Sequence, residues 1–316
     1  METVLITGGT GMVGRYLTQY LIQKGYDVNW LSRKAGGGKS QGGKNQGNKG
    51  QGNRVQVFQW DIDKQTIDEK AISSADHIIH LAGAGVAEQR WTPKRKQEIL
   101  DSRTKSSALI VKALNEIPNH ITTVVSASAI GWYGPDRPDS KSPFTEDMPY
   151  YPGFLGDTCK AWEESIEPVT ASGKRLVRLR TGIVLSRTGG AITEFKKPIR
   201  AGIIPIFGSG KQVVSWIHVE DLCKLFLYAI ENKETQGSYN AVAPNPVTSK
   251  ALMIALAKRM GRSWALPVPV PAFILKILLG EMSIEILKSA TVSSGKIEAA
   301  GFRFSYPTIE QAVGNL

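Results

Sequence analysis

Cysteine is nearly absent. Cys159 and Cys223 are the two in 316 residues; both fall in segments that read as helical, and neither has metal-type spacing around it. A disulfide framework is therefore excluded, no metal site is expected, and a reducing, cytoplasmic setting fits. The first residues, Met1-Glu2-Thr3-Val4-Leu5-Ile6, lack the basic start, long apolar run and cleavage site of a secretory signal, so export is not expected. Nor does any apolar run approach the roughly 20 residues of a membrane span. The most apolar stretch, Ala272 to Gly280, is broken by Lys276 and follows Pro267, Pro269 and Pro271; it reads as a buried helix, with no membrane partner.

Acidic residues are in the minority, 28 against 39 Lys plus Arg, for a formal charge of +11. Nucleic acid, a membrane surface or a phosphorylated small ligand would each suit that sign. No nucleic-acid motif accompanies it, and Arg90, Lys94, Arg95, Lys96, Arg103 and Lys105 alternate with other residues as a solvated helix face does. A small-molecule partner is expected, and a homodimer is allowed. Hydrophobic residues make up 41% and charged residues 21%, which excludes a disordered or fibrous chain.

What is present alternates. Strands at Val4–Thr7, Asp27–Ser32, Val55–Gln59, His77–Leu81, Thr122–Ser126 and Arg175–Arg180 are separated by helices at Met12–Lys24, Pro93–Glu116 and Cys159–Ala171. That rhythm predicts an α/β fold with a doubly wound parallel sheet of Rossmann type. Residues 36–53 hold only Gly, Lys, Ser, Gln and Asn and read as a flexible insertion with nothing to bury. Further on come a strand at Val213–Ile217, a helix at Val219–Glu231 and a short strand near Tyr239. The expected organisation is a dinucleotide domain over 1–245, in which 186–212 serves the substrate side, and a smaller, mostly helical lobe over 246–316, with Leu266–Pro271 between helices.

Thr7-Gly8-Gly9-Thr10-Gly11-Met12-Val13-Gly14 joins the first strand to the first helix, where small residues let backbone N–H groups approach a pyrophosphate. Its spacing, Gly8, Gly11 and Gly14, differs from the common dehydrogenase pattern. Leu81-Ala82-Gly83, Arg90-Trp91-Thr92-Pro93-Lys94-Arg95-Lys96, Ser126-Ala127-Ser128-Ala129, Gly208-Ser209-Gly210, Ser215-Trp216-Ile217-His218-Val219-Glu220-Asp221 and Asn240-Ala241-Val242-Ala243-Pro244-Asn245 follow in order. In these motifs the chain resembles the atypical extended short-chain dehydrogenase/reductases, the epimerase family proteins.

The second strand ends in Ser32-Arg33-Lys34, where an NAD binder would offer a carboxylate to the ribose. A guanidinium and a hydroxyl suit a 2'-phosphate, so the expected cofactor is NADP(H). The resemblance implies Ser32 and Arg33 at that phosphate, Leu81 and Ala82 beneath the ribose, Gly83 also at the cofactor, and Glu98, Arg103 and Val184 near the rest. It also implies hydride transfer on a hydroxyl or carbonyl carbon, with Ser128 holding the oxygen and Lys160 in the place of the superfamily lysine. The tyrosine expected four positions before Lys160 is Gly156. Tyr133 is the leading replacement acid/base, ahead of Tyr150 and Tyr151. The missing tyrosine equally supports a non-catalytic NADP(H)-binding regulator or scaffold. His218 reads as a helix-entry histidine and Cys159 as a small core residue.

Overall fold

The computed structural model describes residues 1–33, 55–137 and 142–316; the insertion expected at 36–53 lies outside them. The chain opens β1 (Thr3–Thr7), α1 (Met12–Gln23), β2 (Asp27–Ser32), β3 (Val55–Asp61), β4 (Thr66–Ile67), α2 (Glu69–Ser73), β5 (His77–His80), α3 (Pro93–Glu116) and β6 (Thr123–Ala129). It continues α4 (Phe154–Ile166), β7 (Arg175–Thr181), β8 (Ile183–Leu185), α5 (Gly190–Arg200), β9 (Ile203–Phe207), β10 (Val213–Val214), β11 (Trp216–His218), α6 (Val219–Glu231) and β12 (Gly237–Ala241). Last come β13 (Val247–Thr248), α7 (Ser249–Arg259), β14 (Leu266–Val270), α8 (Ala272–Leu279), α9 (Ser283–Leu287), α10 (Gly295–Ala299) and α11 (Ile309–Gly314).

Eight strands form one sheet in the order β12-β7-β6-β5-β1-β2-β3-β4. All neighbours are parallel except β3 and β4, which the two-stranded return at residues 61–66 makes antiparallel. The chain winds from β1 toward β3, then restarts at β5 and winds the other way. The order therefore reverses between β1 and β5, where sheets of this kind open a ligand crevice at their strand C-termini. Alternation along β1 supplies both cores: Val4 and Ile6 pack with Leu17 of α1 and Phe226 of α6, Leu5 with Ile110 of α3 and Ile166 of α4.

A further core joins Leu185, Ile192, Ile206 and Trp216 to Leu252, Leu256, Ala312 and Val313. The C-terminal lobe thus draws on residues from both sides of 245. Its composition explains two departures from the expected elements. The strand expected at 213–217 is two: Val213–Val214 pair with β13, Trp216–His218 with β8. Ser215 breaks it, its hydroxyl donating to Ala290 O and accepting Val292 N–H. Leu266–Val270, expected between helices, is a strand parallel to β9, because its extended prolines fit an edge.

Helix α4 begins five residues before the expected Cys159. Gly153, at φ +141°, turns the chain into it, and Pro168 removes a backbone donor so that the last turn narrows to a 3-10 helix. The expectation of a buried helix at 272–280 is corrected as well. Leu275 is buried, but Phe273, Ile277 and Leu278 are exposed, since α8 packs mainly on the residues that follow it, 280–287. Two members of the expected solvated cluster, Arg95 and Arg103, are also buried.

Candidate functional site

The crevice between β1 and β5 is floored by the glycine turn. Gly8 has φ +72°, and a Cβ there would come within 3.0 Å of the Leu81 carbonyl. A Cβ on Gly14 would overlap Gly8 O. The turn therefore requires glycine at both positions, which brings the chain after β5 against it. Gly11 caps α1 with no side-chain hydrogen bond, so the first-turn N–H groups face outward without a protein acceptor from their cap. Thr10 and Gly11 are exposed and Met12 and Val13 half-buried. Met12 meets Gly189, which follows the strand carrying Val184, with its Sδ 3.3 Å from that glycine's Cβ position.

Thr7 ties the two strands together. Its Oγ1 accepts the N–H of Leu81 and of Ala82, both at 3.1 Å, and donates to Nδ1 of His80 at 2.7 Å. His80 is fully buried, and burial, then the charge of Arg103, pushes its pKa down to about 3. Arg103 donates to Ala84 O and Ile99 O and stacks 4.9 Å from the Trp162 ring, so it holds the Leu81–Ala84 segment from below. Its fork is used on the protein itself. Glu98 is exposed and pairs with Arg95 at 2.9 Å, which also grips Gly85 O and Glu88. Arg33 is exposed just past the end of β2, and Ser32 half-buried beside it. A glycine cradle, outward helix amides and a cation at the β2 end together fit a phosphorylated dinucleotide.

Ser128, near the end of β6, is buried and donates to Glu163 Oε1 at 2.7 Å. Arg180 of β7 forks onto the same carboxylate, Nε to Oε1 at 2.8 Å and Nη2 to Oε2 at 3.0 Å. Both partners of this ion pair are about 5% exposed or less. Arg180 Nη1 reaches Tyr133 OH at 3.1 Å, Tyr133 OH donates to Asn240 Oδ1 at 2.8 Å, and the guanidinium lies 3.7 Å above the Trp132 ring. Because a buried charge pair is costly unless its hydrogen bonds are complete, this network fixes the Ser128 hydroxyl firmly. The Ser128 proton points to Glu163, which leaves its oxygen as an acceptor.

Two expected catalytic residues do not join Ser128 in an acid/base arrangement. Tyr133 is 1% exposed, and burial, outweighing Arg180, pushes its pKa up to about 12; it belongs to the network, not to an open acid/base position. Lys160 points away, to Glu164 at 3.7 Å and over the Tyr150 ring. Gly156 is no vacant tyrosine position either, since a Cβ would overlap Tyr151 O. His218 does cap α6, accepting Glu220 N–H at 3.3 Å, and Cys159 is a buried thiol whose pKa burial raises to about 12. Sequence reasoning missed Glu163 and Arg180. The available signal was charge inside elements otherwise apolar: Arg178 and Arg180 alternate along β7, opposite Trp162-Glu163 of α4. An open cavity of about 740 Å3 borders that network at the β7–β12 edge, reaching Glu146 and Lys296, and takes no residue from the glycine turn.

A doubly wound parallel sheet with a glycine turn at its switch point defines a dinucleotide-binding protein of Rossmann type. The NAD dependent epimerase/dehydratase family matches residues 4–242, and a domain of unknown function (DUF1731) matches 270–316. Epimerase family protein YfhF of Bacillus subtilis is 33% identical over 315 residues, covering 99% of this chain and 97% of the relative. The Staphylococcus aureus epimerase family protein SAR0825 is 32% identical over 322 residues, 100% of this chain and 99% of its own. The crystal structure of human epimerase family protein SDR39U1 (isoform 2) with NADPH superposes at TM-score 0.83 with 26% identity, covering 99% of this chain and 98% of that one. The chain belongs to the NAD dependent epimerase/dehydratase family.

Proposed function

We propose that the protein binds NADP(H) and transfers hydride between its nicotinamide and a hydroxyl- or carbonyl-bearing carbon of a small cytoplasmic substrate, as an oxidoreductase or epimerase-like enzyme. The observation that carries this reading is the convergence of the Gly8–Gly14 cradle, Arg33 and Ser128 at the C-terminal ends of β1, β2 and β6 in one parallel sheet. The bound cofactor supplies or accepts the hydride. Backbone N–H groups of Met12 and Val13 receive its pyrophosphate, Gly11 N–H being used on Gly8 O within the turn, and Ser32 and Arg33 receive its 2'-phosphate, where a carboxylate would repel. NADPH in the human relative supports that choice over NAD(H). Leu81, Ala82 and Gly83 underlie the ribose, Val184 borders the nicotinamide side, and Arg103 holds the Leu81–Ala84 segment in position. Ser128 holds the substrate oxygen: it accepts from a hydroxyl while its own proton rests on Glu163, and donates to a carbonyl oxygen when that proton turns from Glu163 to the substrate.

A second reading, NADP(H) binding without turnover, is favoured by Lys160 pairing with Glu164 and by the lack of room for a side chain at Gly156. NADPH oxidation across a carbonyl panel, with calorimetric NADPH affinity, separates the two. Turnover that falls about a hundredfold in Ser128→Ala at unchanged affinity supports the enzyme. Tight NADPH binding with no turnover on any carbonyl supports the regulator, and absent binding of either nicotinamide cofactor overturns both.

A further inference from the structure

The C-terminal lobe carries apolar surface on its outside. Trp264, Leu266, Phe273, Ile277 and Leu278 are each more than 60% exposed, and they lie on or beside β14 and α8, which follow one another in the chain. Single exposed apolar side chains are ordinary; five between residues 264 and 278 mark a surface that another body covers.

Net positive charge accompanies them, since the neighbouring Glu194, Glu281 and Glu285 are each already paired with a lysine. Residues 246–280 contain Lys250, Lys258, Arg259, Arg262 and Lys276 and no Asp or Glu. The Arg262 guanidinium lies 5.4 Å from the Trp264 ring centroid, and Lys276 is exposed on α8 between Phe273 and Ile277. Helix α5, packed with α7 on β9, adds Lys196, whose pKa is lowered by burial and then by the nearby charges of Arg200, Arg259 and Arg187.

Two features select what covers this face. Leu266 N–H donates to Gly202 O and Val270 O accepts from Gly208, so these residues turn their backbone polar groups toward β9. The alternate positions, Pro267 and Pro269, then face the free edge of β14 with no N–H to give, which blocks strand addition there. A second copy would bring the same cationic face and another +11 charge against this one. An anionic bilayer meets both conditions. Aromatic and aliphatic side chains enter its acyl boundary while the surrounding Lys and Arg meet phosphate, and no strand pairing is required.

We propose that the β14–α8 face docks this protein on an anionic lipid bilayer, with α8 lying in the plane of the interface. This revises the expectation that no membrane is a partner. At eight residues α8 rests on the surface and does not cross it. Arg90, in the segment between β5 and α3 that leads from the crevice, donates to Ile277 O of α8, and Lys96 in the first turn of α3 pairs with Glu281 just past α8.

Co-sedimentation of the full chain with vesicles of phosphatidylcholine, with and without phosphatidylglycerol, tests this. The chain is expected to bind the phosphatidylglycerol vesicles, less as salt rises, and to leave phosphatidylcholine in the supernatant. Phe273→Asp/Ile277→Asp and Arg262→Glu/Lys276→Glu should each weaken binding at least about tenfold while keeping wild-type NADPH affinity and melting temperature. Failure of the wild type to sediment with phosphatidylglycerol vesicles overturns the proposal. So does wild-type binding by the Phe273→Asp/Ile277→Asp protein, which would leave electrostatics alone. A concentration-dependent dimer abolished by that same pair would assign the face to a second copy instead.

Discussion

Acidification should weaken the fold through His80, at the base of the crevice. Thr7 Oγ1 accepts two amide protons, so its own proton goes to Nδ1 of His80; the network therefore assigns the imidazole proton to Nε2, beside Ser106 and Ser107. A second proton on the ring would have no acceptor at Nδ1. In the unfolded chain His80 takes up that proton below about pH 6.5, whereas in the fold burial and Arg103 delay it to about 3. The stabilisation is therefore complete above the unfolded value and is lost as pH falls. One pH unit of differential protonation is worth about 1.4 kcal/mol, so the loss reaches about 2 kcal/mol at pH 5 and about 4 near pH 3. Urea unfolding at pH 7 and pH 5, for wild type and His80→Gln, reads the effect. Wild type should lose about 2 kcal/mol more than the variant over that interval. His77 and His218, also lowered by burial, contribute to both proteins and cancel. Equal losses in the two would refute the argument.

Arg33→Ala should weaken NADPH binding by about 1.5 to 3 kcal/mol and leave NADH nearly unchanged; calorimetric titration with both cofactors checks it. Tyr133→Phe should cost about 1 to 3 kcal/mol of stability, because Asn240 Oδ1 and Arg180 Nη1 each lose a buried partner, while NADPH affinity holds. Retained stability in that variant would remove Tyr133 from the network. Gly156→Ala sets helix propensity, about 1 kcal/mol in its favour, against overlap with Tyr151 O. Overlap with backbone should win by about 1 to 3 kcal/mol, seen as a lower urea midpoint.

The sequence by itself determined the order of the longer strands and helices to Arg180, though not the short β4 and α2 between β3 and β5, and with it the glycine turn and the family likeness. The physical reason is locality: period and capping are written in neighbouring residues, as where Thr92 accepts Arg95 N–H and Pro93 opens α3. Tertiary structure decided what depends on partners distant in the chain. Ser128 and Glu163 are 35 residues apart and Tyr133 and Asn240 are 107, so no spacing rule marks them as one network. Whether Lys160 faces the crevice or solvent depends on the rotation of α4, set by Gly153 and by contact of Gly156 with Tyr151 O. Likewise α8 is apolar at every position but Lys276, so its pattern leaves most of its circumference a possible inner face; packing chose Leu275 and left Phe273 and Ile277 to the outside.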